Sequence, residues 1–405
     1  MDEYKYFDSD DLMLLPDATR KKYEKGRKEK KSIGWGQRKL LMSEIEFFTI
    51  YWNPEEIKNP HCVYAGAASG EHILILSDMF PNFTFDLYDP RKEDFNINET
   101  DKIKIIPEYF TNETAKKYKD RSDIFFLSDI RTADYIENQK TIAKKYGLVI
   151  TFNNLNKINE ILPENIQREM DSLTEEEIFK DMLMQQDWIK IMNPEHALIK
   201  FRLPYYDAYD FKDLNVSYLK GVVYWQIWQP PTSTETRLKP IRNIDTKKYE
   251  EGNWNIQEYE EWCYYHNVYT REKALFKNIF TTTNEQITEE LLNDYDSICE
   301  TMILKLYCDK FCAYNDNKFE MVSSLSNKIT KILNTDPKTN TYQNISLNDI
   351  RKSGLIKRSL YVKNLHNPKT KNIILSENIL VDDGYQTSFD FSSQITDNTN
   401  VFNLC

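Results

Sequence analysis

Two kinds of residue pattern in this chain could carry chemistry: a turn of small residues and a set of charged residues at strand ends. The turn reads Tyr64-Ala65-Gly66-Ala67-Ala68-Ser69-Gly70 and is followed by His72. Small side chains let a backbone pass close to a bound ligand, and the start of a helix offers unpaired N–H groups. A tight strand-to-helix turn that binds nothing would read the same way. What separates the two readings is Asp89, which ends the next apolar stretch roughly twenty residues on, where α/β cofactor domains place an acid on ribose hydroxyls. The charged residues lie in Leu127-Ser128-Asp129-Ile130-Arg131, Leu198-Ile199-Lys200-Phe201-Arg202 and Ser233-Thr234-Glu235-Thr236-Arg237, with a further lysine, Lys39, near the start of the first helical stretch.

Positioning such residues requires an alternation of strands and helices, and the hydropathy pattern supplies one. Residues 37–51 carry helical apolar spacing, 61–67 read as a strand, and 73–79 as a helix opened by the small-residue turn. Strands follow at 84–88, 103–106 and 124–127, then a helix at 175–192 and strands at 196–201 and 222–228. Residues 289–334 read as helical again. This order predicts an α/β domain with a largely parallel sheet flanked by helices. The glycines do not follow the G-x-G-x-x-G spacing of dinucleotide folds. A Rossmann-like sheet of the methyltransferase type, binding S-adenosylmethionine, is the better match.

The expected organisation is an N-terminal extension over 1–35, one domain over 36–334, and a C-terminal extension over 335–405. The polar stretch at about 133–174 reads as an irregular insertion, and the last seventy or so residues are rich in Asn, Ser and Asp, with no pattern that specifies a fold. A basic run ends the N-terminal extension, from Arg20 to Lys31; it reads equally as a solvated helix and as an RNA-contacting arm.

Composition sets the outer limits. The net charge is −11, which excludes a surface coated in positive charge but leaves room for a local basic patch on phosphates. No apolar run approaches the roughly 18 residues of a membrane span, and the N-terminus lacks a signal pattern, so the expected location is cytoplasmic, without membrane partners. Six cysteines without C-x-x-C spacing and five scattered histidines suggest reduced thiols and no metal site.

The local strings Gly36-Gln37-Arg38-Lys39-Leu40-Leu41, Ser128-Asp129-Ile130-Arg131 and Tyr259-Glu260 followed by Tyr264-Tyr265 occur in order along the chain. With them the sequence resembles the poxvirus cap-specific RNA 2′-O-methyltransferases, which also serve as processivity subunits of the viral poly(A) polymerase. The resemblance runs from about residue 36 to 334. It implies a Lys-Asp-Lys-Glu tetrad of Lys39, Asp129, Lys200 and Glu235, with Lys200 as the base. A ribose 2′-hydroxyl is a poor nucleophile, so transfer to it needs in-line positioning and removal of its proton. Ordinary lysine, with a pKa near 10.4, would be charged at neutral pH, and a second lysine, the donor's sulfonium and partial burial would all lower that value.

The same resemblance places Tyr64, Gly66, Gly70 and His72 at the donor-binding turn, Asp89, Arg91 and Asp129 beside the donor, and Thr111 on the adenine side. The chain departs from the family at Ala68-Ser69, where the family has alanine then proline; serine is small enough for the turn. For the cap, 7-methylguanine carries a delocalised positive charge that favours aromatic stacking, and carboxylates can accept from its edge. Tyr205 is the implied stacking face, Asp207 and Glu260 the implied edge acceptors, and Tyr23 the nearest candidate for the second stacking face. The partners so implied are m7G-capped RNA and, alongside the enzyme activity or in its place, the catalytic subunit of a poly(A) polymerase. A methyltransferase for uncapped RNA would need neither Asp207 nor Glu260.

Overall fold

The computed structural model describes residues 35–132, 135–147, 163–205, 214–229, 233–267, 295–312, 318–333, 335–336 and 341–342. Tyr23, the basic run before residue 32, Asp207 and nearly all of 335–405 lie outside these. Five strands run parallel at the centre of a seven-stranded sheet: β1 (His61–Ala65), β2 (Thr84–Tyr88), β3 (Ile103–Ile106), β4 (Ile124–Ser128) and β5 (His196–Phe201). A two-stranded ribbon of β6 (Asn215–Leu219) with β9 (Glu251–Asn255) stands apart from the sheet. The sheet is completed by β7 (Gly221–Tyr224) and β8 (Thr236–Pro240), β8 pairing antiparallel with both β5 and β7. The spatial order is β3-β2-β1-β4-β5-β8-β7. The architecture is a mixed α/β sheet, mostly parallel, as the strand–helix alternation predicted.

The strands are apolar on both faces because both faces are covered. On one face, Cys62, Tyr64, Phe85, Leu87, Phe125, Leu127 and Leu198 pack under α1 (Trp35–Tyr51), α2 (Glu71–Met79) and α7 (Tyr295–Phe311). The alternate residues Val63, Ala65, Phe126, Ala197, Ile199 and Phe201 face the other way, toward α3 (Asn112–Lys117), α5 (Glu164–Met192) and α6 (Ile256–Tyr265). Period-two alternation therefore decides which helix layer each polar strand residue meets. Lys200, between Ile199 and Phe201, belongs to the α1 face.

Two expectations are corrected. Strand β7 ends at Tyr224, and the expected extension through Trp228 is a turn with Trp228 at φ 63°. Instead of an irregular insertion, the described part of 133–174 is helical: α4 (Tyr135–Lys145) and the first turns of α5. The stretch expected to be helical, 289–334, is helical over most of its described residues, as α7 and a further helix, α8 (Lys318–Leu333). The polar stretch at 133–174 misled because a helix that packs one narrow face shows a mostly polar sequence.

The first turn of α1 is tied down through consecutive residues. Arg38, nearly buried, donates from Nε to Glu300 Oε2 at 2.8 Å and also pairs its Nη2 with Glu300 Oε1. Its Nη1 donates to Thr330 Oγ1 at 2.9 Å, and Trp228 Nε1 donates to Glu300 at 2.8 Å. At the other end of α1, Lys310 Nζ donates to the carbonyls of Thr49 and Trp52 at 2.6 and 3.0 Å, satisfying groups that a helix end leaves open. Burial lowers the Lys310 pKa to about 8.

Strand order reverses between β1 and β4, and there the chain runs tightest. Gly66, at φ +78°, donates its N–H to Tyr88 O at 2.8 Å, and Asp129 N donates to Ala65 O at 2.9 Å. A Cβ on Gly66 would meet Asp129 C and Ile130 N at 2.9 Å. Glycine is required there by sterics, whatever the turn binds.

Three outcomes follow from this packing. Arg38→Ala strands the Glu300 carboxylate and should cost about 3–5 kcal/mol, read from the shift of the urea midpoint. Gly66→Ala should destabilise by more than about 1 kcal/mol, because both φ and the approach of residues 129–130 oppose it. Gly36→Ala, with nothing within 4 Å of the added carbon, should be neutral or stabilising by the same urea midpoint.

Candidate active site

The carboxyl ends of the parallel strands, beside the β1/β4 reversal, are where an open α/β sheet leaves a crevice for ligands. Four charged residues from four separate elements meet there. Lys39 comes from α1, Asp129 from the residue after β4, Lys200 from β5 and Glu235 from the residue before β8. Lys200 Nζ lies 3.1 Å from Asp129 Oδ1 and 3.4 Å from Glu235 Oε2, and Lys39 Nζ donates to Glu235 Oε1 at 2.5 Å. The structure thus brings together all four residues of the expected tetrad, with side-chain exposures between 13% and 19%.

Two arginines complete the cluster, and neither was singled out from the sequence. Lys200 and Arg237 are directly opposed in the antiparallel register of β5 and β8. Two cations side by side and buried require an anion between them, and Asp129 Oδ1 lies 3.1 Å from each. Arg237, fully buried, also donates to Ser128 O at 2.7 Å. Arg131, two residues beyond Asp129, donates to Glu235 Oε2 at 2.8 Å. The signal for both was present in the strings that contain them: Asp129 with Arg131, and Glu235 with Arg237, are spaced two apart.

Four cations and two carboxylates give this cluster a formal charge of +2 when all are ionised, inside a protein of net charge −11. Burial pushes the Lys200 pKa below its ordinary value. Asp129 and Glu235 pull it back up, while Arg131 and Lys39 add to the lowering. Burial alone would raise Glu235, yet Lys200, Lys39 and Arg131 outweigh it and hold that carboxyl well below the usual range. Asp129 is likewise lowered, burial being overcome by Lys200 and Arg237. The result is two firmly ionised carboxylates around a lysine biased toward its neutral form.

The turn after β1 is supported from behind. Tyr64 is fully buried and donates its hydroxyl to Glu44 Oε1 at 2.8 Å. His72 is also buried; its Nε2 lies 3.1 Å from Glu44 Oε2 and its Nδ1 lies 2.5 Å from Gln37 Oε1. These side chains hold the turn against α1, so a ligand in the turn would meet backbone atoms there. Gly70, at φ +88°, starts α2. Asp89 is buried at the end of β2 and accepts from the backbone N–H, Nε and Nη2 of Arg91, each at 3.0 Å. A carboxylate has about four acceptor sites, so a ribose diol would need Arg91 to give way. Arg91 has 62% of its side chain exposed and also pairs its Nη1 with Asp94 Oδ2 at 3.3 Å. Thr111 lies beyond β3 on the same edge, and its hydroxyl caps α3 by accepting from Thr114 N.

Of the expected cap residues, Tyr205 and Glu260 are described. Arg202 Cζ lies over the Tyr205 ring, 4.2 Å from its centroid, so a base could stack only on the opposite face. Glu175 locks this pair, accepting from Arg202 Nη2 at 2.8 Å and from Tyr205 N at 3.0 Å. Glu260 lies on α6, mostly buried. Among the described residues no group of three or more His, Cys, Asp and Glu could hold a metal ion, and no helix is long and apolar enough to cross a membrane.

Comparison with known proteins adds two findings. The family model for "Poly A polymerase regulatory subunit" matches residues 4–163, which include the turn after β1, Lys39 and Asp129. Among solved structures, one similar chain is bluetongue virus VP4, whose structure is described as revealing a multifunctional RNA-capping production-line. The superposition has a TM-score of 0.32 at 11% identity and covers 82% of this chain and 55% of VP4, so this chain spans about half the length of that protein.

Proposed function

We propose that this protein is an S-adenosylmethionine-dependent RNA 2′-O-methyltransferase that acts on the first transcribed nucleotide of m7G-capped RNA. The observation that carries the reading is the convergence of Lys39, Asp129, Lys200 and Glu235 at the carboxyl edge of the sheet. S-adenosylmethionine supplies a methyl group already attached to a sulfonium leaving group, so the protein's part is to bind, orient and handle one proton. The backbone of 66–70 and the Asp89 carboxylate suit the donor, the latter by accepting from a diol once Arg91 swings out. The +2 cluster suits an RNA backbone and its 2′-hydroxyl.

Lys200 is the group for the proton. In its neutral form the amine accepts from the 2′-hydroxyl as the oxygen becomes nucleophilic, and Asp129 and Glu235 then hold the ammonium that results. Lys39 keeps Glu235 ionised and in place, and Arg237 does the same for Asp129. The Tyr205 face not covered by Arg202, with Glu260 and Asp207, would select the methylated cap.

A second reading rests on the family match: a subunit that holds RNA for a poly(A) polymerase, in addition to or instead of the enzyme. Unchanged tail lengths when the protein is added to such a polymerase, with no polymerase recovered in a pull-down, would remove it.

Methyl transfer is measured with tritiated donor on m7G-capped, G-capped and uncapped RNA. Signal is expected on m7G-capped RNA alone, and Lys200→Ala and Lys200→Arg should each lose about 10²-fold or more. Full activity in Lys200→Ala would end this mechanism. The pH dependence has a definite sign. The neutral amine is the active form and its pKa is lowered, so the single-turnover rate should rise with pH and level off below the ordinary lysine value of about 10.4. A rate that falls with pH across this range would exclude Lys200 as base.

A further inference from the structure

The segment that carries Glu235 enters β8 from outside the ladder. Pairing of β8 with β5 begins at Thr236, opposite Phe201, so the carbonyls of Ser233 and Thr234 have no strand partner in it. Buried carbonyls need donors, and a single stripe of α6 and the turn just past it provides them. Tyr259, fully buried, donates its hydroxyl to Thr234 O at 2.6 Å. Cys263 Sγ lies 3.6 Å from the same carbonyl, and Asn267 Nδ2 donates to Ser233 O at 2.6 Å. Residues 259, 263 and 267 recur every four positions, so they line one side of a helix.

Tyr259 does more than satisfy one carbonyl. Its oxygen is also 3.2 Å from Phe201 O and 3.0 Å from Thr236 Oγ1. Thr236 Oγ1 is in turn 3.2 Å from Phe201 O. With its one proton on Thr234 O, the Tyr259 oxygen can accept from Thr236 Oγ1, whose own proton serves either Tyr259 or Phe201 O. The two hydroxyls therefore form one network with the residue after Lys200 and the residues on either side of Glu235. Thr236 and Phe201 face α6, while Lys200 and Glu235, one position along their strands, face α1. Tyr259 thus sits behind the sheet from the charge cluster and touches none of its side chains.

We infer that Tyr259, aided by Cys263 and Asn267, is a positioning residue that sets the separation of Lys200 and Glu235 from the far side of the sheet. Because Glu235 lies on the side that raises the Lys200 pKa, this spacing tunes the lysine as well as placing it. The neighbouring Glu260, an expected cap acceptor, is on the same helical turn, so a shift of α6 on cap binding would reach the segment before Glu235 through Tyr259. The kinetic part of this inference rests on the methyl-transfer reading; the electrostatic part does not.

The test compares wild type, Tyr259→Phe and Tyr249→Phe. The last is a control that also removes a tyrosine hydroxyl donating to a backbone carbonyl, Pro194 O at 2.9 Å, away from the cluster. The Lys200 side chain is titrated by NMR in protein carrying 13C-labelled lysine, with Lys200→Arg to assign its signal. In Tyr259→Phe the lysine should titrate lower by about half a pH unit or more, since a looser Glu235 supports the ammonium less. On capped RNA its kcat should fall about tenfold to a hundredfold, with KM nearly unchanged and the rising limb of the pH profile moved the same way. Tyr249→Phe should alter neither. If Tyr259→Phe is folded and Lys200 titrates as in wild type, the inference is overturned, whatever the enzyme does. If the titration moves but wild type transfers no methyl group, the positioning stands and the proposed reaction falls. Should Tyr259→Phe fail to fold, Asn267→Ala carries the same expectation and the same grounds for rejection.

Discussion

The arrangement turns on one carboxylate. The register of β5 against β8 places Lys200 opposite Arg237, and neither cation can leave the interior without unpairing the sheet. Asp129, delivered by the end of β4 on the other side of β5, is the anion that makes this pairing tolerable. Removing it would leave two buried like charges side by side, which costs far more than any surface ion pair contributes. The exit of β4 is accordingly well held: Asp129 N on Ala65 O, the close approach of Gly66, and Thr132 N on Asp181 Oδ2 at 2.8 Å.

Helix α1 links that cluster to the rest of the molecule through three neighbouring side chains. Gln37 reaches His72 behind the turn after β1, Arg38 reaches Glu300 on α7, and Lys39 reaches Glu235. Successive residues on a helix point about 100° apart, so one turn can serve three directions at once. The pair α7 and α8 therefore bears on the site without touching it, since Arg38 cannot shift without moving the residues beside it.

The cluster's excess positive charge within an acidic protein has a functional logic. It lowers the cost of a neutral lysine, and it offers an attraction confined to one edge of the sheet. Tyr205 adds a different kind of surface, an aromatic face backed by a guanidinium whose charge Glu175 balances.

Much of this was legible in sequence because it depends on short-range pattern. Period-two and helical spacing located the five parallel strands, and the small-residue turn and Asp89 fall at the carboxyl ends of β1 and β2, as expected. Resemblance to a known family pointed to Lys39, Asp129, Lys200 and Glu235. Polar surface helices such as α4, and the early stop of β7, were not legible, because packing on one face leaves little trace in overall hydropathy. Residues 23 and 207, named for the cap, lie outside the described residues. What the sequence alone determined was which residue types stand at strand ends. Only the tertiary structure decided that Lys200 faces Arg237 across Asp129, and that Tyr259 grips both strands from behind. Register and the covering of each sheet face are set by contacts between segments far apart in the chain, and local spacing does not encode them.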